Sequence, residues 1–102
     1  MSQAMVVDDS RAIRLILGRT LEGFGYQVCQ AANGREALEV LDHEGADLNL
    51  VLVDWNMPEM NGLDFVKKVR SNPRYSKLAL MMVTTETHID QVSTALEAGA
   101  NE

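Results

Sequence analysis

Leu48-Asn49-Leu50-Val51-Leu52-Val53-Asp54-Trp55-Asn56-Met57-Pro58-Glu59-Met60-Asn61-Gly62 is the stretch that decides the fold of this chain. It opens as a short run rich in Leu and Val, the composition of a strand covered on both faces. The run stops at a single carboxylate, Asp54. Pro58 and Gly62 then break regular structure and impose a loop. A buried strand that delivers one acid to the mouth of a loop is placing a reactive group, not closing a core.

Working outward, Met5 to Val7 is a second short apolar run, and it ends in Asp8-Asp9-Ser10. Ile13, Ile16, Leu17, Leu21 and Phe24 then recur three and four apart, which predicts one face of a helix from Arg11. Asp9 or Ser10 is its cap, and Gly23 and Gly25 end it. Gly18 inside that helix costs about 1 kcal/mol against Ala. Tyr26 to Ala31 reads as another strand. Asn33 with Glu36 is a cap signature, and Ala37, Leu38, Val40 and Leu41 give the apolar face of a helix that finishes at Gly45. Beyond Asp54, Asn61 to Asp64 repeats the cap pattern. Leu63, Phe65, Val66 and Val69 carry a third helix to about Ser71, where Asn72-Pro73 is a stop. Leu78 to Val83 is the fourth strand. Thr87 and Asp90 mark a further cap, with Ile89, Val92 and Leu96 facing inward on a fourth helix closed by Gly99. Strand followed by helix, four times over, predicts an α/β fold: a doubly wound parallel sheet with helices on both faces.

The 102 residues suit one small domain, read as 1–102. A net charge of -6 lacks the basic footprint of a nucleic-acid binder. No apolar run approaches the roughly 20 residues of a membrane span. No secretory signal opens the chain, so a cytoplasmic protein is expected. Cys29 is the one cysteine and cannot make an internal disulfide. It reads as a buried core thiol, with a reactive thiol as the lesser alternative.

In an open parallel sheet, ligands sit beyond the carboxyl ends of the strands. If the first, third and fourth strands are neighbours, Asp8, Asp9, Asp54 and Thr84 share one rim. Three carboxylates at close range repel, so one takes up a proton or a cation neutralises them. Clustered oxygens suit a hard ion, and Mg²⁺ with retained waters fits an open rim. The plainer alternative is that Asp8 and Asp9 only cap the first helix. A carboxylate beside Mg²⁺ can act as a nucleophile toward phosphorus, and the Thr84 hydroxyl can donate to a phosphoryl oxygen.

Met5-Val-Val-Asp-Asp-Ser10, Val53-Asp-Trp-Asn-Met-Pro-Glu-Met-Asn-Gly62 and Met82-Val-Thr-Thr-Glu86, each at a strand end, resemble the receiver domain of two-component response regulators. Asn33-Gly34 with Glu36-Ala37-Leu38, and Ala98-Gly99-Ala100, fit the same family, so the resemblance covers the whole chain. It implies a flavodoxin-like sheet of order 2-1-3-4. It implies that Asp54 is the phosphoacceptor, phosphorylated by a sensor histidine kinase or phosphotransfer protein. Asp9 and Asp54 would bind Mg²⁺ directly, Asp8 mainly through water, and Asn56 through its backbone carbonyl. Thr84 would move toward the phosphoryl group and start a conformational switch that controls a downstream protein target, as in chemotaxis. The Asn56 and Glu86 positions would tune the lifetime of the acyl phosphate.

Two departures from the family pattern stand out. Thr85 is bulkier than the small residue usual there, which would restrict access to phosphodonors. The family's fifth strand, with its Lys-Pro pair and aromatic switch residue, and its last helix do not appear before Glu102. By usual element lengths about 20 residues are lacking. A fragment of that kind is expected to leave strand four as an edge and to uncover part of Ile13, Leu17 and Phe24. Self-association, exchange of elements or pairing with a complementary piece is the expected consequence.

Other features read plainly. Lys67, Lys68, Arg70, Arg74 and Lys77 form a solvated helix face. His43 and His88 are surface residues. Trp55 is either a partly exposed neighbour of the site or a packing residue. Glu59 is a solvated loop residue. Two rivals stay open: an aspartyl-phosphate phosphatase, or an interaction half-domain without phospho-switching. Against the phosphatase, such enzymes usually carry the nucleophile on the first strand with a second acid two residues later. Here the paired acids are adjacent, and the lone acid follows Asp9 by 45 residues.

Overall fold

The computed structural model describes residues 2–44, 48–54, 60–75 and 77–83. Four strands, β1 (Gln3–Val7), β2 (Gln27–Ala31), β3 (Leu48–Asp54) and β4 (Ala79–Val83), form one sheet in the order β2-β1-β3-β4, all pairs parallel. Between them run α1 (Arg11–Gly23), α2 (Gly34–Glu44) and α3 (Gly62–Arg70), with a 3₁₀ turn at Pro73–Tyr75 leading into β4. This is the doubly wound order expected from the sequence. The fourth helix read around Ile89 to Leu96 lies outside the described residues, as do Gly45, the Trp55 to Glu59 loop, Thr84, Thr85, Glu86 and His88.

The side-chain period of two splits the central strands between two cores. Met5 and Val7 of β1 and Val51 and Val53 of β3 face α2 and α3, where Ala37, Leu41, Phe65, Val66 and Val69 are fully buried. Ala4 and Val6 of β1 and Leu52 of β3 face the other way and meet Leu21 of α1. β1 and β3 are covered on both sides, which is why Ala4 to Val7 and Leu50 to Val53 read as apolar runs.

The helix caps follow the sequence signals. Ser10, not Asp9, caps α1: its Oγ accepts from the Ile13 amide at 3.3 Å. Asn33 Oδ1 accepts from the Glu36 amide at 2.9 Å, and Asn61 Oδ1 from the Asp64 amide at 2.9 Å. Each satisfies a backbone donor that the first turn leaves unpaired. Gly25, just past α1, has φ 94°, the left-handed conformation that favours glycine.

Part of the apolar stripe of α1 lies open, as expected for Ile13 and Phe24: Leu21 is buried, but Ile13, Ile16 and Phe24 are 39%, 59% and 78% exposed, and off-stripe Leu15 is 47% exposed. A stripe read at three and four spacing fixes a face but not how much of it the sheet covers. Cys29 is half-buried rather than fully buried, because β2 is an edge strand; its Sγ lies 3.6 Å from the Ala4 carbonyl.

On the larger core's side, the Tyr75 ring is buried and its hydroxyl donates to the Leu41 carbonyl of α2 at 3.0 Å. Arg70 donates back to the Tyr75 carbonyl at 2.9 Å. Partial burial lowers the Arg70 pKa from its usual value. The turn before β4 is thus tied to both α2 and α3. Lys67, Lys68, Arg74 and Lys77 are exposed, as a solvated face requires, and so is His43.

Candidate functional site

Strand register assembles the site. Val7 of β1 lies opposite Val53 of β3, so the next residues, Asp8 just past β1 and Asp54 at the last position of β3, come side by side. Asp54 in turn lies opposite Val83, which brings the end of β4 to the same rim. The result is that ligand oxygens of Asp8, Asp9 and Asp54 all lie within 4.8 Å of one another. Asp8 is buried, Asp54 half-buried and Asp9 exposed. The structure thus brings these three acids together at one rim. Asn56 and Thr84, the other two site residues named from the sequence, lie outside the described residues.

The turn that carries the paired acids is held from several sides. The Asp8 amide donates to the Ala31 carbonyl at 3.1 Å, which continues the β1–β2 ladder by one step. Asp8 Oδ1 accepts from the Ser10 amide at 2.8 Å. Neither acid is the cap of α1: Asp8 shapes the turn before the helix, while Ser10 does the capping. Arg14, one turn into α1, donates from Nη1 to the Asp8 carbonyl at 2.6 Å and from Nε to Gln30 Oε1 at 3.2 Å.

Burial pushes the Asp8 carboxyl above the ordinary carboxylate range. The Asp9 charge and a side-chain contact with Asp9 push it the same way, against the Ser10 amide and the Arg14 guanidinium, which hold it down. A buried acid crowded by other acids is a site that favours a proton or a cation.

The donor set fits a hard divalent ion. Octahedral Mg²⁺ with oxygens at about 2.05 Å sets adjacent ligands about 2.9 Å apart and opposite ones about 4.1 Å apart. Oxygens within 4.8 Å reach those spacings by movements of about an ångström, or with a water between ion and carboxylate. Carboxylate-only donors also suit this class of ion over softer metals.

Two contacts near the site were not read from the sequence. Arg14 is one, and it left a signal: α1 has no acid in its first turn yet has Arg11 and Arg14 near its start. That arrangement opposes the helix dipole, and the neighbouring acids offset the conflict. Met60 is the other. It packs on Gly34 at the start of α2, so closely that a Cβ there would lie 3.0 Å from Met60 Cβ, Cγ and Sδ. Nothing in the local pattern announces that contact, because it joins two loops distant in sequence.

An acidic cluster at the carboxyl rim of a 2-1-3-4 parallel sheet, with a half-buried acid on the middle strand, defines a receiver-type domain. The sequence profile of the response regulator receiver domain matches residues 4–102, and the chain belongs to that family. Within it, the chain is 51% identical over 98 residues to chemotaxis protein CheY1 of Helicobacter pylori, covering 95% of this chain and 78% of that protein. It is 46% identical to a chemotaxis protein CheY homolog of Campylobacter jejuni, covering 95% and 75% respectively. Among solved structures it is similar to chemotaxis protein CheY4 of Vibrio cholerae, with a TM-score of 0.90, 38% identity, and coverage of 98% of this chain and 82% of that one. The chain is thus a phospho-accepting regulatory domain of the two-component type, homologous to chemotaxis response regulators. No helix among the described residues is long and apolar enough to cross a membrane.

Proposed function

We propose that this domain accepts a phosphoryl group on Asp54 from a histidine kinase or phosphotransfer protein, with Mg²⁺ held by Asp8, Asp9 and Asp54. The convergence of those three carboxylates within 4.8 Å at the strand ends is the observation that carries this reading. When bound, the ion neutralises the carboxylates and the incoming phosphoryl oxygens. Asp54 supplies the nucleophile: a carboxylate oxygen forms the new bond to phosphorus as the bond to the donor breaks. Its seat at the end of a strand locked between β1 and β4 fixes the line of approach, and positioning is most of what phosphoryl transfer asks of a protein. Asp9, the exposed acid, would hold the ion together with Asp54, while buried Asp8 would add compensating negative charge, directly or through a water. The Asn56 carbonyl would complete the ligand set, and the Thr84 hydroxyl would receive the phosphoryl oxygen and start the switch toward a downstream protein target of the chemotaxis type.

Incubation with acetyl phosphate and Mg²⁺, followed by intact mass, tests the assignment. The expected result is a gain of one phosphoryl group that needs Mg²⁺ and is lost in Asp54→Asn. A folded wild-type chain with no mass gain, or an unchanged gain in Asp54→Asn, would overturn it. Steady turnover of phosphate esters would favour a phosphatase instead.

A further inference from the structure

We infer that Arg14 is a positioning residue for the metal site: its guanidinium bridges the Asp8 carbonyl and the Gln30 side chain and so sets the turn that presents the Asp9 carboxylate. This deepens the phosphoryl-acceptor reading and rests on it. Arg14 touches neither a carboxylate of the cluster nor a transferred group in the contacts described above; it acts through the backbone.

The geometry explains why an arginine stands there. The Asp8–Asp9 peptide lies between two anchored points, the Asp8 amide on Ala31 and the Ser10 amide on Asp8 Oδ1. Both of those bonds leave the Asp8 carbonyl free to rotate with its peptide plane. The charge-assisted bond from Arg14 Nη1, at 2.6 Å, fixes that plane, and the plane sets the direction in which Asp9 leaves the chain. Nε of the same guanidinium reaches Gln30 Oε1 at 3.2 Å. Gln30 precedes Ala31, which takes the Asp8 amide, so the fork ties β2, the acid turn and α1 into one frame. A planar fork can point two donors in fixed directions; a lysine is a single point charge on a flexible stem and cannot. The cationic charge alone would act in the opposite sense, since a cation near the acids opposes a second cation.

Titration calorimetry with Mg²⁺ alone, on the wild-type chain and on Arg14→Lys, Arg14→Gln and Gln30→Leu, separates the two. Outer partners of metal ligands commonly affect affinity by about tenfold or more. Positioning therefore predicts that Arg14→Lys and Arg14→Gln each weaken Mg²⁺ binding by about tenfold, and Gln30→Leu by a smaller factor of about three. A charge effect alone predicts tighter binding in Arg14→Gln and no change in Arg14→Lys, and either result overturns the inference. So does a lowered melting temperature in all three with Mg²⁺ affinity unmoved, which is what a merely structural role gives. If the Arg14 variants do not fold, Gln30→Leu decides: unchanged affinity there refutes the bridge. A folded wild-type chain that binds no Mg²⁺ removes the functional reading itself, whereas wild-type binding with unaffected variants removes only the role of Arg14.

Discussion

Asp8→Asn should stabilise the metal-free protein at neutral pH. Asparagine keeps the Oδ1 acceptor that the Ser10 amide uses at 2.8 Å, so the turn loses no hydrogen bond. What it removes is charge. Two unit charges 4.8 Å apart, the outer limit for these carboxylate oxygens, repel by about 3.5 kcal/mol at an effective dielectric near 20. Asp8 makes two such pairs. Solvent screening of exposed Asp9 and the attraction of Arg14 for Asp8 reduce the net gain to about 1–2 kcal/mol. With a urea slope of about 1–1.5 kcal/mol/M for a small domain, the midpoint should rise by about 1 M in the presence of a chelator.

The pH dependence has a definite sign. The Asp8 pKa is raised above its ordinary value of 3.8, so the folded state holds more protons than the unfolded state between the two pKa values. Wild-type stability from this group then falls as pH rises from about 3.8 through the folded pKa, and stays lowered above it. The variant lacks that loss. Its advantage should be absent below about pH 3.8 and complete above the folded pKa of Asp8. Saturating Mg²⁺, which stabilises the native state by binding it, should shrink or reverse the difference. Urea titrations at pH 3.5 and 7, with chelator and with Mg²⁺, check all of this. A variant less stable than wild type at pH 7 in chelator, or an advantage that persists at pH 3.5, would refute the claim that Asp8 sits in mutual repulsion.

Two further predictions concern the scaffold. Tyr75→Phe removes the donor to the buried Leu41 carbonyl and should cost about 1–3 kcal/mol in urea unfolding; no measurable change would mean that the carbonyl finds another partner. Gly34→Ala should destabilise by about 1–2 kcal/mol although alanine suits a helix better, because the new Cβ meets three Met60 atoms at 3.0 Å; a shifted amide resonance for Asp64, capped by Asn61 beside Met60, is the accompanying sign, and a stabilised variant would contradict it.

Much of this molecule is legible in its sequence for a physical reason. β1 and β3 are central and covered on both faces, so Ala4 to Val7 and Leu50 to Val53 are apolar runs, and each ends abruptly at an acid. The abrupt end is the site. Asn33, Ser10 and Asn61 announce their helices because an unpaired amide needs a local acceptor. What a segment buries depends on what lies beyond it. The spacing of Ile13, Ile16 and Phe24 gives a face but not its cover, and Cys29, read as core, is half-buried because its strand is an edge. Met60 on Gly34 joins segments distant in sequence, which no local pattern encodes; Arg14 leaves only an indirect signal, a cation at the start of a helix; and the meeting of the acids waits on the register of β1 on β3.

That register brings together the acids on which the proposed chemistry depends, and locating a divalent ion tests it most directly. Anomalous scattering from crystals grown with Mn²⁺ in place of Mg²⁺ should show one strong peak within bonding reach of Asp9 and Asp54, with Asp8 beside it directly or through a water. No peak at saturating Mn²⁺, or a peak held by other residues, would contradict the account.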